Sequence, residues 1–245
     1  MLQSKSICCV KGVSGSGKST RVFLLIQFLE KVCRLPIEDF SFVNKEGKRK
    51  NIGILFPDLD LVFIGKKYVT GNFERFQGYD VMTGSFGKSS DFSDFLREYH
   101  TKYNFVVEGA GVTATNRLRP LFLHEFCGFN DILIQYYNYG MDQKDKYLER
   151  ILYRSGKVPD KATMWEKCSG FISDHQHSLD EIEQIKSKNV IAITCYNTYD
   201  THNYDFGVKL LTFLYINDFI PYFIDFCKSS NYIELNSFNN FGDGK

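Results

Sequence analysis

The spacing of hydrophobic positions near the start of the chain changes at a cluster of glycines. Residues 6–11 form a short β-prone apolar run that stops at Gly12. Residues 19–32 then carry apolar side chains at the three- and four-residue spacing of one helix face. This order predicts a buried strand, a glycine-rich loop and a helix.

The segment after this helix has a β-rich pattern instead. Short apolar runs are separated by the turn-forming sequences Asn-Lys-Glu-Gly at 44–47 and Pro-Asp at 57–58. We interpret the segment as a small β-meander inserted within residues 38–70. Its predicted strands cover residues 40–43, 52–56 and 61–64.

Helical and β patterns alternate over the rest of the chain. Such alternation predicts a mainly parallel sheet with helices on both faces. We therefore expect one three-layer α/β domain over residues 1–245, with a helical lid region at 142–185. The predicted helices cover residues 91–103, 120–126, 142–153, 164–184 and 204–219, and the predicted strands cover residues 104–109, 131–137 and 189–194.

The glycine-rich loop satisfies the phosphate-loop pattern G-x-x-x-x-G-K-[ST]. Backbone N–H groups in such a loop surround phosphates, and the N-terminus of the following helix adds its positive dipole end. Lys18 is expected to contact the β- and γ-phosphates of ATP, and Ser19 is expected to ligate Mg²⁺. The expected nucleotide-binding residues are Gly12, Ser14, Gly15, Ser16, Gly17, Lys18, Ser19 and Thr20.

Composition and charge narrow the class of protein further. The chain has 245 residues and a formal net charge of +1, which disfavours DNA binding by the overall field but leaves room for a local basic groove. Its apolar stretches end well before the roughly 18 residues that a membrane span needs. We expect no membrane span and a cytoplasmic location. The seven scattered cysteines are expected to be reduced thiols.

A carboxylate ends the strand predicted at 104–109. In P-loop folds the acid that organises Mg²⁺ or the attacking group normally ends a strand beside the P-loop strand, and Glu108 is the best match. Ser19 and Glu108 are therefore the expected metal ligands. Gly109 directly follows, and a glycine there would let a substrate approach the backbone closely.

Motifs of other P-loop classes are missing from the sequence. It lacks the acid pair of motor and transporter ATPases and the LSGGQ-type transporter signature, and residues 44–47 lack the final acid of the GTPase base-reading motif. Phosphoryl transfer to an acceptor other than water is the leading interpretation.

Two arginine pairs could neutralise phosphate charge. Arg150 and Arg154 lie four residues apart before a Gly/Pro loop, which is typical either of a kinase lid or of a solvated helix face. Arg117 and Arg119 could instead contact an acceptor phosphate or a DNA backbone.

The acceptor hydroxyl needs a base or an orienting carboxylate. Asp80 is the first candidate, because it follows a glycine turn beside aromatic residues suited to stacking on a base. Asp58 and Asp60 are the alternatives. The residues expected to bind substrate are Arg75, Phe76, Gln77, Tyr79, Arg117 and Arg119.

Together these motifs resemble a known family. The phosphate loop, Arg-Phe-Gln-Gly-Tyr-Asp at 75–80, Val-Val-Glu-Gly at 106–109 and R-x-x-x-R-x-G at 150–156 are similar to those of bacteriophage P-loop kinases that phosphorylate 5-hydroxymethyluracil bases in DNA. The resemblance covers about residues 6–160. It implies a nucleoside and nucleotide kinase fold, ATP·Mg²⁺ as donor, and location in the host cytoplasm if the protein is phage-encoded.

The resemblance also implies an acceptor. This would be the exocyclic hydroxymethyl group of a pyrimidine in DNA, with Asp80 facing its oxygen. That group projects into the major groove, so base flipping is not required. Flipping would nevertheless let Phe73, Phe76 or Tyr79 stack on the base.

Two alternatives share the same donor residues. A kinase of a free nucleoside, nucleotide or other metabolite predicts a closed pocket and no dependence on DNA, whereas a DNA kinase predicts salt-dependent binding. A nucleotide-dependent switch or slow ATPase would transfer phosphate only to water.

Overall fold

A seven-stranded sheet organises the part of the chain that the structure describes. The structure is a computed structural model, and it describes residues 5–13, 15–70, 73–86, 89–109, 118–138, 143, 145, 148–149, 160–185, 191–197 and 202–230. The strands of these ranges are β1 (Ser6–Gly12), β2 (Glu38–Val43), β3 (Arg49–Phe56), β4 (Leu61–Ile64), β5 (Lys66–Thr70), β6 (Phe73–Gln77), β7 (Asn104–Glu108), β8 (Asp131–Asn138) and β9 (Ile191–Asn197).

Helices and short helical turns connect the strands. The α-helices of the described ranges are α1 (Lys18–Gln27), α2 (Thr83–Phe86), α3 (Ser89–Tyr99), α4 (Lys161–Gln184), α5 (Asp205–Phe213) and α6 (Ile220–Ser229). Five-residue π-helical turns cover Phe28–Val32 and Phe122–Phe126, and 3-10 turns cover Pro57–Leu59, Tyr79–Val81 and Asn217–Phe219. None of these helices is long and apolar enough to span a bilayer.

Five neighbouring strands of the sheet are parallel. The strand order is β2-β3-β4-β7-β1-β8-β9, and β3 alone runs antiparallel to both of its neighbours, β2 and β4. The mainly parallel α/β prediction is therefore confirmed. The β-rich segment predicted as an insertion forms part of this sheet, because β4 pairs in parallel with β7.

The two faces of the sheet bury separate apolar clusters. In β1, Cys9 faces a cluster with α2 and α3, whereas Cys8 and Val10 face a cluster with α1, α5 and α6. Alternate side chains of a strand point to opposite faces, so a strand covered on both sides must be apolar throughout. Burial raises the pKa of the Cys9 thiol to about 12, which keeps it protonated at neutral pH.

The end of the chain departs from its predicted pattern. The helix predicted over 204–219 ends at Phe213, and Tyr215 adopts a left-handed backbone with φ +60°. A second helix, α6, follows and packs against α5. Both helices carry apolar side chains along one face. The helical spacing of apolar residues therefore continues in the sequence across the turn that separates them. The β5–β6 hairpin and α6 were not predicted as elements.

We predict opposite stability effects for two helical glycines. A Cβ at Gly170 in α4 would meet nothing within 4 Å, so Gly170→Ala should raise the free energy of unfolding by about 0.5–1 kcal/mol. A Cβ at Gly207 in α5 would lie 2.1 Å from the buried Phe223 ring, so Gly207→Ala should lower it by about 1–3 kcal/mol. Urea unfolding measures both changes, and equal shifts in one direction would contradict the helix packing described.

Candidate active site

The predicted phosphate loop connects the end of β1 to the start of α1. Gly12, Gly15 and Gly17 have φ angles of +137°, +85° and +80°, a region that side chains disfavour. A Cβ at Gly12 would also lie 2.0 Å from the backbone oxygen of Tyr137 on β8. The loop therefore requires glycine where it leaves the sheet.

Lys18 lies folded over this loop. Its ammonium donates hydrogen bonds to the backbone oxygens of Gly12 at 2.9 Å and Val13 at 2.8 Å. The Ser16 hydroxyl donates to the same Val13 oxygen at 2.9 Å. The side chain of Lys18 is buried, so its positive charge lies within the loop and away from solvent.

A second buried cation, Arg21, supports the loop from α1. Its guanidinium donates to the backbone oxygen of Ser16 at 2.9 Å and lies 4.7 Å from the centre of the Tyr137 ring. Arg21 was not among the residues predicted from the sequence. Arg21 follows Lys18 by three positions and so shares its helix face, which is the signal that could have identified it.

Glu108 stands at the end of β7, directly beside β1. The register places it opposite Val10, and its buried carboxyl accepts hydrogen bonds from the Ser19 hydroxyl and the Gly78 backbone N–H. Burial raises the pKa of Glu108 above its ordinary value, the Lys18 charge opposes this rise, and Asp80 adds to it. The four side chains Lys18, Ser19, Asp80 and Glu108 thus share one electrostatic site.

Two glycines bring Asp80 to the same place. A Cβ at Gly78 would lie 2.1 Å from the Glu108 backbone oxygen and 2.4 Å from its Oε2. A Cβ at Gly109, where φ is +80°, would lie 2.7 Å from Oδ2 of Asp80. Asp80 is exposed, and its carboxyl lies close to Gly109, the residue after Glu108. The first-choice acceptor carboxylate therefore lies beside the predicted metal ligands.

The Ser19 hydroxyl and the Glu108 carboxylate fit the oxygen donors that Mg²⁺ prefers. Mg²⁺ is commonly held by one or two protein oxygens together with nucleotide phosphates and water. Among the residues that the structure describes, no group of three or more His, Cys, Asp and Glu side chains could hold a metal. A metal at Ser19 and Glu108 would complete its coordination with nucleotide phosphates and water.

The alternative acceptor acids lie at the opposite end of the parallel strands from the phosphate loop. Asp58 is in the turn between β3 and β4, and Asp60 directly precedes β4, whose first residue pairs with the first residue of β7. Asp60 forms an ion pair with Lys5 at 2.9 Å. These carboxylates stand at the amino ends of the parallel strands, whereas the phosphate loop is at the carboxyl ends, so neither can serve the site.

Two of the three aromatic residues predicted to stack on a base lie in the core, and the side chain of the third, Phe73, falls outside the part that the structure describes. Phe76 and Tyr79 are each only 3% exposed. The Tyr79 ring packs 4.3 Å from that of Phe92, and Phe76 belongs to the cluster around α1. Their rings face protein on all sides, so this arrangement does not support the stacking role. Arg75 is exposed and Gln77 is half-buried, both on β6.

Arg119 belongs to a buried ionic network, and this pairing does not support its predicted role in substrate binding. It donates to Asp174 of α4 at 2.8 Å, and the second oxygen of Asp174 accepts from Lys11 at 2.9 Å and from the Tyr136 hydroxyl at 2.6 Å. Burial acts to raise the pKa of Asp174, but Lys11, Tyr136 and Arg119 outweigh it and hold the pKa below its ordinary value. The carboxylate is thus kept ionised.

The remaining predicted site residues fall outside the described ranges. These are Ser14, Arg117, Arg150 and Arg154, and the predicted lid contacts stay predictions. Gly15, Ser16 and Gly17 lie in the loop, Thr20 lies in the first turn of α1, and their contacts with a nucleotide stay predictions.

Comparison with known proteins adds independent findings. Residues 4–211 match a family model described as 5-hmdU DNA kinase 2. A relative of that name from Salmonella phage ViI is 24% identical over 179 residues, which cover 72% of this chain and 57% of the relative. The chain therefore spans little more than half the length of the curated relative it matches. The match to the family model includes the phosphate loop, Asp80 and Glu108.

We predict that removing the Asp174 carboxylate destabilises the fold. Asp174→Asn removes one partner of the buried Lys11–Asp174 ion pair and should lower the free energy of unfolding by about 3–5 kcal/mol at pH 7. Asp94 pairs with Lys45 and Arg97 in partly exposed bridges, so Asp94→Asn should cost less than about 1 kcal/mol. Chemical denaturation of both variants provides the comparison.

The Asp174 contribution should also depend on pH. The folded-state pKa of Asp174 lies below the ordinary value of 3.8, so its contribution is complete above that pH and is lost as pH falls through the folded-state value. The stability gap between wild type and Asp174→Asn should narrow over that acidic range. A gap that stayed constant there would show that folding does not lower the pKa of Asp174.

Proposed function

Because the family model matches residues 4–211, this chain belongs to the 5-hmdU DNA kinase 2 family, and we propose that it transfers the γ-phosphate of ATP to the 5-hydroxymethyl group of a modified pyrimidine in DNA. The observation that carries the proposal is the meeting of Lys18, Ser19, Glu108 and Asp80 at one end of the parallel strands. This brings phosphate-binding groups and an acceptor carboxylate within one site.

The donor side of the reaction uses the loop and α1. Backbone N–H groups of the loop and the N-terminus of α1 bind the nucleotide phosphates. Lys18 leaves the loop oxygens of Gly12 and Val13 and places its charge on the β- and γ-phosphates. Ser19 and Glu108 would hold Mg²⁺, which would neutralise phosphate charge when bound.

The acceptor side uses Asp80. Its carboxylate accepts a hydrogen bond from the hydroxymethyl O–H and directs the oxygen lone pair at the γ-phosphorus. An O–P bond then forms on the hydroxymethyl oxygen as the bond from the γ-phosphorus to the bridging oxygen breaks. ADP leaves with the electron pair, and the hydroxyl proton passes to Asp80 and from there to water. Because Asp80 is exposed, a group carried on a large substrate can reach it.

We predict that Asp80→Asn separates chemistry from nucleotide binding. The amide keeps the shape but cannot accept the proton, so transfer to hydroxymethylated DNA should fall about 10²–10⁴-fold. Binding of ATP should change far less, since Asp80 is not among the residues of the loop. Transfer of labelled γ-phosphate, measured beside ATP binding to the same samples, checks both statements.

The matched control is Asp58→Asn. This change removes the same charge from an exposed acid at the amino ends of the parallel strands. The transfer rate should stay within about twofold of wild type, as is usual for surface substitutions. Equal losses in both variants would remove Asp80 from the acceptor site.

The donor site has its own expected outcome. Lys18→Ala should lower transfer by about 10²-fold or more, because one charged donor to the transferred group is lost. The acceptors tested are hydroxymethylated DNA, unmodified DNA and free hydroxymethyl nucleosides. Label only in the free nucleosides would favour a small-molecule kinase, and label only in released phosphate would favour a nucleotide-dependent switch.

A further inference from the structure

The β5–β6 hairpin presents two chemically different faces. Directly opposed residues of an antiparallel pair share a face, and successive residues alternate between faces. The register pairs Lys67 with Phe76, and it pairs Lys66 with Gln77 and Tyr68 with Arg75. We call the side that carries Lys67 and Phe76 the inner face. The outer face consists of Lys66, Tyr68, Arg75 and Gln77.

The inner face is packed at Phe76, and its charged side chains are paired. Phe76 is buried in the cluster around α1, Lys67 forms an ion pair with Glu30, and Glu74 forms one with Lys31 at 3.0 Å. These contacts attach the hairpin to α1 and to the turn that follows it. The outer face therefore points away from the helix.

The outer face carries charges without such partners. Lys66 and Arg75 are exposed, and neither forms an ion pair with any residue that the structure describes. Tyr68, directly opposite Arg75, and Gln77, directly opposite Lys66, are half-buried beside them. Two cations, one aromatic ring and one amide on a single face match the phosphates, bases and sugars of a polynucleotide.

The outer face begins at the candidate active site. A Cβ at Gly65 would lie 2.2 Å from the Gln77 oxygen and 2.9 Å from the Cα of Gly78, so the base of the hairpin is closed against Gly78. Gly78 in turn packs on Glu108 and donates its N–H to that carboxyl. Gln77 is thus three residues from Asp80, and the cationic face leads directly to the acceptor position.

We propose that this outer face binds the sugar-phosphate backbone of the DNA strand whose base is phosphorylated. The proposal rests on the proposed function and adds to it the surface that holds the polymer. Lys66 and Arg75 contact backbone phosphates, and Tyr68 contacts a neighbouring sugar or base. Because the net charge of the chain is only +1, DNA binding requires a local group of cations such as this one.

The test is the salt dependence of DNA binding, measured without ATP so that chemistry does not contribute. Each phosphate contact contributes a slope of about −0.7 for single strands or −0.9 for duplex in log affinity against log salt. Lys66→Gln/Arg75→Gln should therefore reduce the slope by about 1.4–1.8 and weaken binding at 0.1 M salt by about tenfold or more. Arg75→Lys keeps the charge and should keep the slope.

The matched control is Lys209→Gln/Lys228→Gln, which removes two exposed cations from α5 and α6 and should leave the slope unchanged. An unchanged slope in Lys66→Gln/Arg75→Gln would overturn the hairpin proposal, and continued transfer by wild type to DNA would then leave the proposed function intact. Wild type that neither binds DNA nor phosphorylates it would overturn both. A loss of slope in Arg75→Lys as large as that in Lys66→Gln/Arg75→Gln would also reject a charge-based role.

Discussion

The parallel pairing of β1 with β7 and β8 is the constraint on which the candidate site depends. It places Val10 beside Glu108 and Gly12 against Tyr137. Because the Tyr137 backbone lies where a Cβ would stand, only glycine lets β1 end there and turn into the loop. Ser19 at the start of α1 then meets Glu108 at the end of β7. The donor side of the site thus follows from strand register.

Buried charge holds this end of the sheet in place. Lys11 extends from β1 to Asp174 on the face covered by α4, and Arg21 reaches the loop from α1 on the other face. Removing one partner of a buried ion pair costs several kcal/mol, so the Lys11–Asp174 pair restricts where β1 and α4 can lie. The loop is supported from both faces of β1, which suits groups that must be positioned before the reaction begins.

The sequence predicted local features better than distant ones. The loop and the acid of β7 were recognisable because glycine geometry and strand-end position are short-range signals. The pairing of Arg119 with Asp174 joins residues 55 positions apart, and no local pattern indicates it. Phe76 and Tyr79 were assigned to substrate because a core aromatic and a stacking aromatic are identical in sequence. Only the tertiary packing distinguishes them, since Phe76 is buried against α1 and Tyr79 against Phe92 of α3.

The central claim is that this site phosphorylates a hydroxymethyl group within DNA. The most direct measurement digests DNA to nucleosides after incubation with the protein, ATP and Mg²⁺, and identifies the phosphorylated species by mass spectrometry. The account predicts a phosphomonoester on the 5-hydroxymethyl carbon of a pyrimidine nucleoside, absent when Lys18→Ala or Asp80→Asn replaces wild type. Recovery of hydroxymethyl nucleosides that carry no phosphate, although ATP has been hydrolysed, would contradict it.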